Sequence, residues 1–353
     1  MPTPTRFTSW SRSRAVLLLS GTLLAILLFL AAVPKGTLIP ASYSSREDSD
    51  LAVFEKVVVR VHSGENYYDA MGGVLRSSKR PTGYVFNWRT PLHLTFVSLL
   101  PDLAWGRFLL GAVAVTAILM SFVVMARNGP IAAAGVQLLL LLGPVAGCFS
   151  PSGVYFSELW AGALIVVSVC GYALGSWPVG FVAGLLALFC RELAAPYVVV
   201  CIALALYGRR RGEVLGWLGG LGAYSLYFAF HALAVTSRLG PTDFPPPAGW
   251  IQFGGPGFIL QTSSMGWLLV MPAWVAALYV PLAVLGLAAW KSEVGLRLLL
   301  GVAAYLCLFA LAGHSVHLYW GAVYSPLLSF GVAWCGLAMR DLLRSARRMP
   351  GPA

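Results

Sequence analysis

Charge is what this sequence has least of. Only 10% of its 353 residues are charged, against the roughly 25% usual in soluble domains. With 58% hydrophobic residues, that scarcity argues against a soluble globular chain. Paired cysteines are also missing. Cys148, Cys170, Cys190, Cys201, Cys307 and Cys335 form no CxxC and all lie in or beside apolar runs. They read as small buried hydrophobes, which excludes a disulfide frame and a cysteine metal site. There is no GxGxxG after a strand, no P-loop, no HExxH and no GxSxG, so cytoplasmic nucleotide-dependent chemistry is not expected. The formal charge of +11 sits at the ends of apolar runs, with no basic-aromatic module, so nucleic acid is not an expected partner.

What is present is oil of membrane-spanning length. The runs are too long and too continuously apolar for barrel strands, so the expectation is an all-α, polytopic helical membrane protein. Ten spans are read, near 15–37, 104–126, 130–149, 157–174, 178–190, 193–207, 214–236, 266–290, 295–312 and 319–339. The first could be a signal peptide, but it is long for one and "VPKGT" is a poor cleavage site, so a retained helix is favoured. The apolar segment 92–100 is too short to cross and should lie in the interface or re-enter.

Residues 178–207 could instead be one tilted helix, giving nine spans. Two short helices joined at "CRELAAP" put Arg209, Arg210, Arg211, Arg340, Arg344, Arg347 and Arg348 on one side. The positive-inside rule therefore prefers ten spans with both termini cytoplasmic, here in a bacterial cytoplasmic membrane. A single transmembrane domain, 1–353, then carries two extracytoplasmic loops. The first, 38–103, holds interfacial helices, and the second, 237–265, is rich in proline and glycine and suits an irregular loop over a cavity. No internal repeat is evident.

Ionisable groups inside or beside apolar spans are the candidates for chemistry. Arg191 can fork onto phosphate oxygens, and Glu192 can orient it or meet a substrate hydroxyl; the plain alternative is a pair that caps a short helix. Glu65 and Asp69 stand four apart in "GENYYDA", on one face if a helix starts there, and either could act as a general base. Tyr67 and Tyr68 could stack on a sugar or sit at headgroup level. Lys79 and Arg80 read as lipid-facing cations, whereas Arg89, beside Trp88 and near His93, is a better phosphate ligand. His314 and His317 could hold a phosphate, although HxxH alone is weak evidence for a metal. Glu158 either caps its helix or lines a cavity, and His231 reads as a satisfied helix histidine.

One combination is more specific. An outer loop with an acid just ahead of a Tyr-Tyr helix start, "GENYYDA", is followed by "WRTPLHL" and later by "GLLALFCRELAAPYVVV". Over the first two hundred or so residues this resembles the GT-C superfamily of integral-membrane glycosyltransferases, which includes polyprenyl-phosphate-sugar mannosyltransferases and arabinosyltransferases. The resemblance implies an inverting transfer from a polyprenyl-phosphate-linked donor to an extracytoplasmic glycan, lipid or protein acceptor. Glu65, then Asp69, would match the family's base, which is usually aspartate. Arg191, with Arg89, His317 and His314, would hold the donor phosphate. Tyr67, Tyr68, Trp88, Glu158 and Glu192 would line the substrate. No cofactor is assigned, and a divalent cation, Mg or Mn, stays open. Other readings are a transporter or flippase for lipid-linked sugars, a non-catalytic assembly subunit, and an O-antigen ligase or polymerase.

Overall fold

The computed structural model describes residues 5–33, 49–245, 252–265, 271–313 and 317–348. Among these residues the chain is helical throughout, with no strand. Six helices are long and apolar enough to cross a membrane, which makes this a helical membrane protein: α1 (Arg12–Ala31), α5 (Leu103–Asn128), α6 (Ile131–Val145, continued by one tighter turn), α10 (Arg211–Thr236), α13 (Glu293–Leu311) and α14 (Ser325–Ala346). Four apolar helices are shorter: α7 (Ser157–Ala173), α8 (Trp177–Cys190), α9 (Ala195–Tyr207) and α12 (Ala273–Ala289). Outside the apolar bundle lie α2 (Asp50–His62), α3 (Tyr67–Ser77) and α4 (Pro91–Ser98), with α11 (Gly255–Ser263) between α10 and α12.

The helix ends follow local chemistry. Ser11, Ser49, Asn66, Asp102 and Ser292 cap α1, α2, α3, α5 and α13 by accepting from first-turn amides. Pro91, Pro196 and Pro326 sit in the first turns of α4, α9 and α14, where a missing N–H costs nothing. The same proline logic breaks 178–207 in two. α8 stops at Cys190, Arg191 is extended, and a single tight turn over 192–194 leads into α9.

α7 is the axis of the bundle, with all but its last two residues buried against α5, α8 and the 318–323 segment. Gly162 makes that segment's approach possible, since a Cβ there would lie 2.0 Å from the Ala322 carbonyl oxygen. α12 and α14 pack backbone to backbone where Gly286 meets Gly331; a Cβ on Gly286 would fall 1.8 Å from the Gly331 oxygen. α1 runs along their outer side and leaves Leu17, Leu23, Leu24 and Leu28 exposed. The N-terminal segment is tied down by the Thr5 amide to Asp341 at 3.0 Å and by Arg6 to the Trp290 carbonyl at 3.0 Å.

Two expectations shift. Residues 255–263, expected within an irregular loop, form α11, because Phe258, Ile259 and Leu260 bury and Tyr324 hydrogen-bonds to Thr262 and Ser263. The last helix starts at Ser325 rather than near 319, since residues 318–323 wind as a tighter helix against α7. The expected segments 34–37, 38–48, 246–251 and 266–270, and His314, lie outside the described residues. All six cysteines are free.

Candidate functional site

Arg89 is the first residue to place. It follows a short turn, Val85–Trp88, and its backbone lies at φ 54°, ψ 150°, a region close to one that only glycine adopts freely. Two neighbours hold it there. The Tyr67 hydroxyl donates to the carbonyls of Trp88, at 2.8 Å, and Arg89, at 3.2 Å. Trp88 is fully buried, and its Nε1 donates to the Thr82 carbonyl at 2.8 Å. Tyr67 and Trp88, expected to line a substrate, therefore serve as pins for the backbone that carries Arg89.

The Arg89 side chain reaches inward to the first turn of α7. Its Nη1 is 2.8 Å from Glu158 Oε1, and its Nη2 donates to the Tyr319 hydroxyl at 2.9 Å. Arg191 approaches the same carboxylate oxygen from the α8–α9 break, with Nε 2.9 Å away. That contact is close but not aligned as a hydrogen bond, so Arg191 Nε keeps donor capacity. Arg191 Nη1 donates to Glu192 Oε1, while Glu192 Oε2 is buried without a partner. Glu158 and Arg191 are almost wholly buried, at 1% and 2% exposure. Two guanidinium groups thus share one buried carboxylate oxygen.

Asp50, at the start of α2, joins this cluster and is absent from the sequence expectations. It accepts from the Tyr319 hydroxyl at 2.7 Å and pairs with Arg80. Burial pushes its carboxyl upward, but Arg80, Arg89 and the Tyr319 hydrogen bond outweigh that and hold it below the usual range. Burial likewise opposes the charge on Arg89, and Glu158, Tyr319, Glu192 and Asp50 reverse the effect, so it stays protonated. His93 on α4 is pushed down to about 4 by burial, so it is neutral at pH 7 and can donate from Nε2 to the Val154 carbonyl at 3.0 Å. Phe54, Arg89, His93, Tyr155, Cys190 and Arg191 enclose a cavity of about 10 Å³, about the space of one water. The arrangement as it stands leaves room for little more than that.

The two acids expected as bases stand elsewhere. Glu65 is gripped by the fork of Arg60, with Nε donating to Oε2 at 2.6 Å. Asp69 pairs with Arg238 at 2.8 Å on an exposed edge. Arg238 also lies over the Tyr68 ring, 5.2 Å from its centroid, and the Tyr68 hydroxyl is 3.3 Å from His231 Nδ1. With Arg76–Asp243 at 2.8 Å, these contacts fasten α3 to the C-terminal end of α10 and the segment after it. His317 stacks flat on Trp320, with centroids 4.5 Å apart, one residue from Tyr319.

Among the described residues no three His, Cys, Asp or Glu come together as a metal-ligating group. The carboxylates of the cluster are each already on an arginine. The described carboxylates therefore leave a divalent ion no ligand that is not already paired with an arginine. No known protein family, characterised protein or solved structure matches the chain.

Proposed function

We propose that this is a membrane glycosyltransferase that moves a sugar from a polyprenyl-phosphate donor to an extracytoplasmic acceptor with inversion. In this reading the chain has ten spans in a bacterial cytoplasmic membrane, both termini cytoplasmic and the site near the outer face. The observation that carries it is the buried pair Arg89 and Arg191 converging on one oxygen of Glu158. Two fixed guanidiniums at one point suit a phosphate whose charge grows as it leaves.

Depth supports a lipid-borne donor. α8 has 14 residues and α9 has 13, so they rise about 21 and 20 Å, short of the roughly 30 Å hydrocarbon thickness. The break at 191–194 then lies about 10 Å below the outer boundary. Non-helical backbone is tolerated at that depth where it is enclosed by protein or lines a cavity. A phosphate carried on a polyprenyl tail reaches that level more readily than a soluble sugar nucleotide.

The step balances simply. An acceptor oxygen forms a bond to the anomeric carbon as the carbon–oxygen bond to phosphate breaks. The phosphate leaves with the electron pair, beside Arg89 and Arg191. The acceptor proton goes to a carboxylate of the first outer loop. Of the three candidates, Asp50 is best placed, because it shares Tyr319 with Arg89. Glu65 and Asp69 remain the other two. A flippase would need the arginines but no base.

The test is transfer of radiolabelled sugar from polyprenyl-phosphate donors to envelope-extract acceptors, with purified protein in proteoliposomes. Asp50→Asn should lower transfer by about 10²–10⁴-fold while donor binding survives. The paired variant Glu65→Gln with Asp69→Asn should stay near wild type, and loss there instead would return the base role to those acids. A wild type that binds donor but never transfers would sink the enzyme reading in favour of a flippase or an assembly subunit.

A further inference from the structure

Buried polar atoms without partners are costly and rare, so each one asks for a reason. Two of them belong to residues near the α8–α9 break: Glu192 Oε2 and the Tyr224 hydroxyl. The Tyr224 ring packs edge-on against Phe189, with centroids 5.4 Å apart, two residues before Arg191, which sets this part of α10 against the α8–α9 break. Tyr224 is 8% exposed. It sits 13 residues into α10, about 20 Å from the inner end, which is the height reached by α8 and α9 at their junction.

The surroundings suit a carbohydrate ring. Phe189, Tyr224 and Tyr227 form a three-ring corner, with centroids 5.4 to 5.9 Å apart. An apolar corner with a few convergent polar groups is the usual composition of a small-molecule subsite. The polar groups here complement hydroxyls: Glu192 Oε2 can only accept, and the Tyr224 hydroxyl can donate or accept. Arg191 joins this corner to the phosphate position.

We propose that Glu192 Oε2 and the Tyr224 hydroxyl form a subsite that reads hydroxyls on the donor's sugar. This rests on the transferase reading for its ligand and deepens it by naming what distinguishes a sugar-bearing lipid phosphate from a bare one.

Tyr224→Phe separates this from a structural role. It removes one oxygen and keeps the ring, so a hydroxyl that only sits unpaired in the fold would be neutral or stabilising to lose. The full chain in proteoliposomes is titrated with bare polyprenyl phosphate, polyprenyl-phosphoryl mannose, polyprenyl-phosphoryl arabinose and a deoxy counterpart of each. Wild type should bind a sugar-bearing lipid about 3–10-fold more tightly than the bare phosphate. It should also discriminate against the deoxy form. In Tyr224→Phe that preference should fall to within about twofold while the bare phosphate binds as before. The unfolding midpoint should be unchanged or higher. A variant that keeps the full preference overturns the subsite, as does a wild type with no preference for either sugar. Preference without transfer would overturn the enzyme reading and leave the subsite standing.

Discussion

Glu158→Gln is the most direct perturbation of the arginine pair. The carboxylate is 1% exposed, and the side chains of Arg191 and Arg89 are 3% and 12% exposed. Glutamine keeps the size and one acceptor but removes the charge shared by both cations. Breaking a buried ion pair from one side costs about 3–5 kcal/mol, because a charge is left uncompensated. The lower end, about 3 kcal/mol, is expected here. Glu192 stays on Arg191, and Tyr319 with Asp50 stays beside Arg89. The assay is reversible unfolding in mixed micelles, wild type beside variant. The second half of the prediction concerns function. Polyprenyl phosphate supplies the missing negative charge, so at ten times its Kd it should return about 1.4 kcal/mol to the variant. Wild type should gain less. A loss below about 1 kcal/mol would refute Glu158 as the shared counter-ion. A full loss with no recovery by polyprenyl phosphate would refute the phosphate role of the arginines.

Other consequences are cheaper to check. Arg89→Gly should be more stable than Arg89→Ala by about 1 kcal/mol or more, since both lose the side chain and only glycine accepts φ 54° without strain; equal unfolding midpoints would remove strain from the account. Gly286→Ala should block the α12–α14 contact and yield little folded protein, whereas Gly21→Ala, with nothing within 4 Å, should express as wild type. Arg76 first, then Thr82 and the Gly240 amide, hold the Asp243 carboxyl below its usual 3.8. A carboxyl depressed in the folded state stabilises fully above its unfolded value and loses that contribution as pH falls through the folded value. Protease protection of the segment after α10 should therefore exceed that of Asp243→Asn at pH 7, with the gap closing below about pH 4. A gap as wide at pH 2 as at pH 7 would contradict this.

Much of the bundle was legible because apolar length is a one-dimensional signal. So was the break at "CRELAAP", where a charged pair and Pro196 interrupt an otherwise continuous run. Arg89, Arg191, Glu158 and Glu192 stood out for the same reason, and the structure brings all four together. Asp50 did not. In "SREDSD" it looks like one more solvated loop acid, and its partner Tyr319 is 269 residues away. Tyr67 and Trp88 show a different limit. Aromatics beside charge in a polar loop look alike whether they face a ligand or pin a turn, and here their polar atoms bond to backbone carbonyls. α11 was hidden by its glycines and its one proline, although "FIL" offered a short apolar face. Tyr224 gave no signal, since a tyrosine in an apolar helix shows nothing in sequence of whether its hydroxyl has a partner.

The charge balance of the cluster bears on how a donor would enter. Arg80, Arg89 and Arg191 face Asp50, Glu158 and Glu192, so the site as it stands is neutral in pairs. Neutral pairing is what makes so many ionised groups tolerable in one buried cluster. A sugar phosphodiester brings about one negative charge, so it needs an arginine that a carboxylate has released. Glu158 cannot withdraw, because it is buried at 1% on the axial helix. Glu192 can, because its side chain is 18% exposed, it stands on a one-turn break, and it already has a free oxygen. On the proposed reading, phosphate replaces Glu192 on Arg191, and the released carboxylate turns to the sugar hydroxyls beside Tyr224. Phosphate and sugar would then be recognised by a single exchange of partners. A bare polyprenyl phosphate would complete only half of that exchange, leaving Glu192 buried without a hydroxyl to accept from.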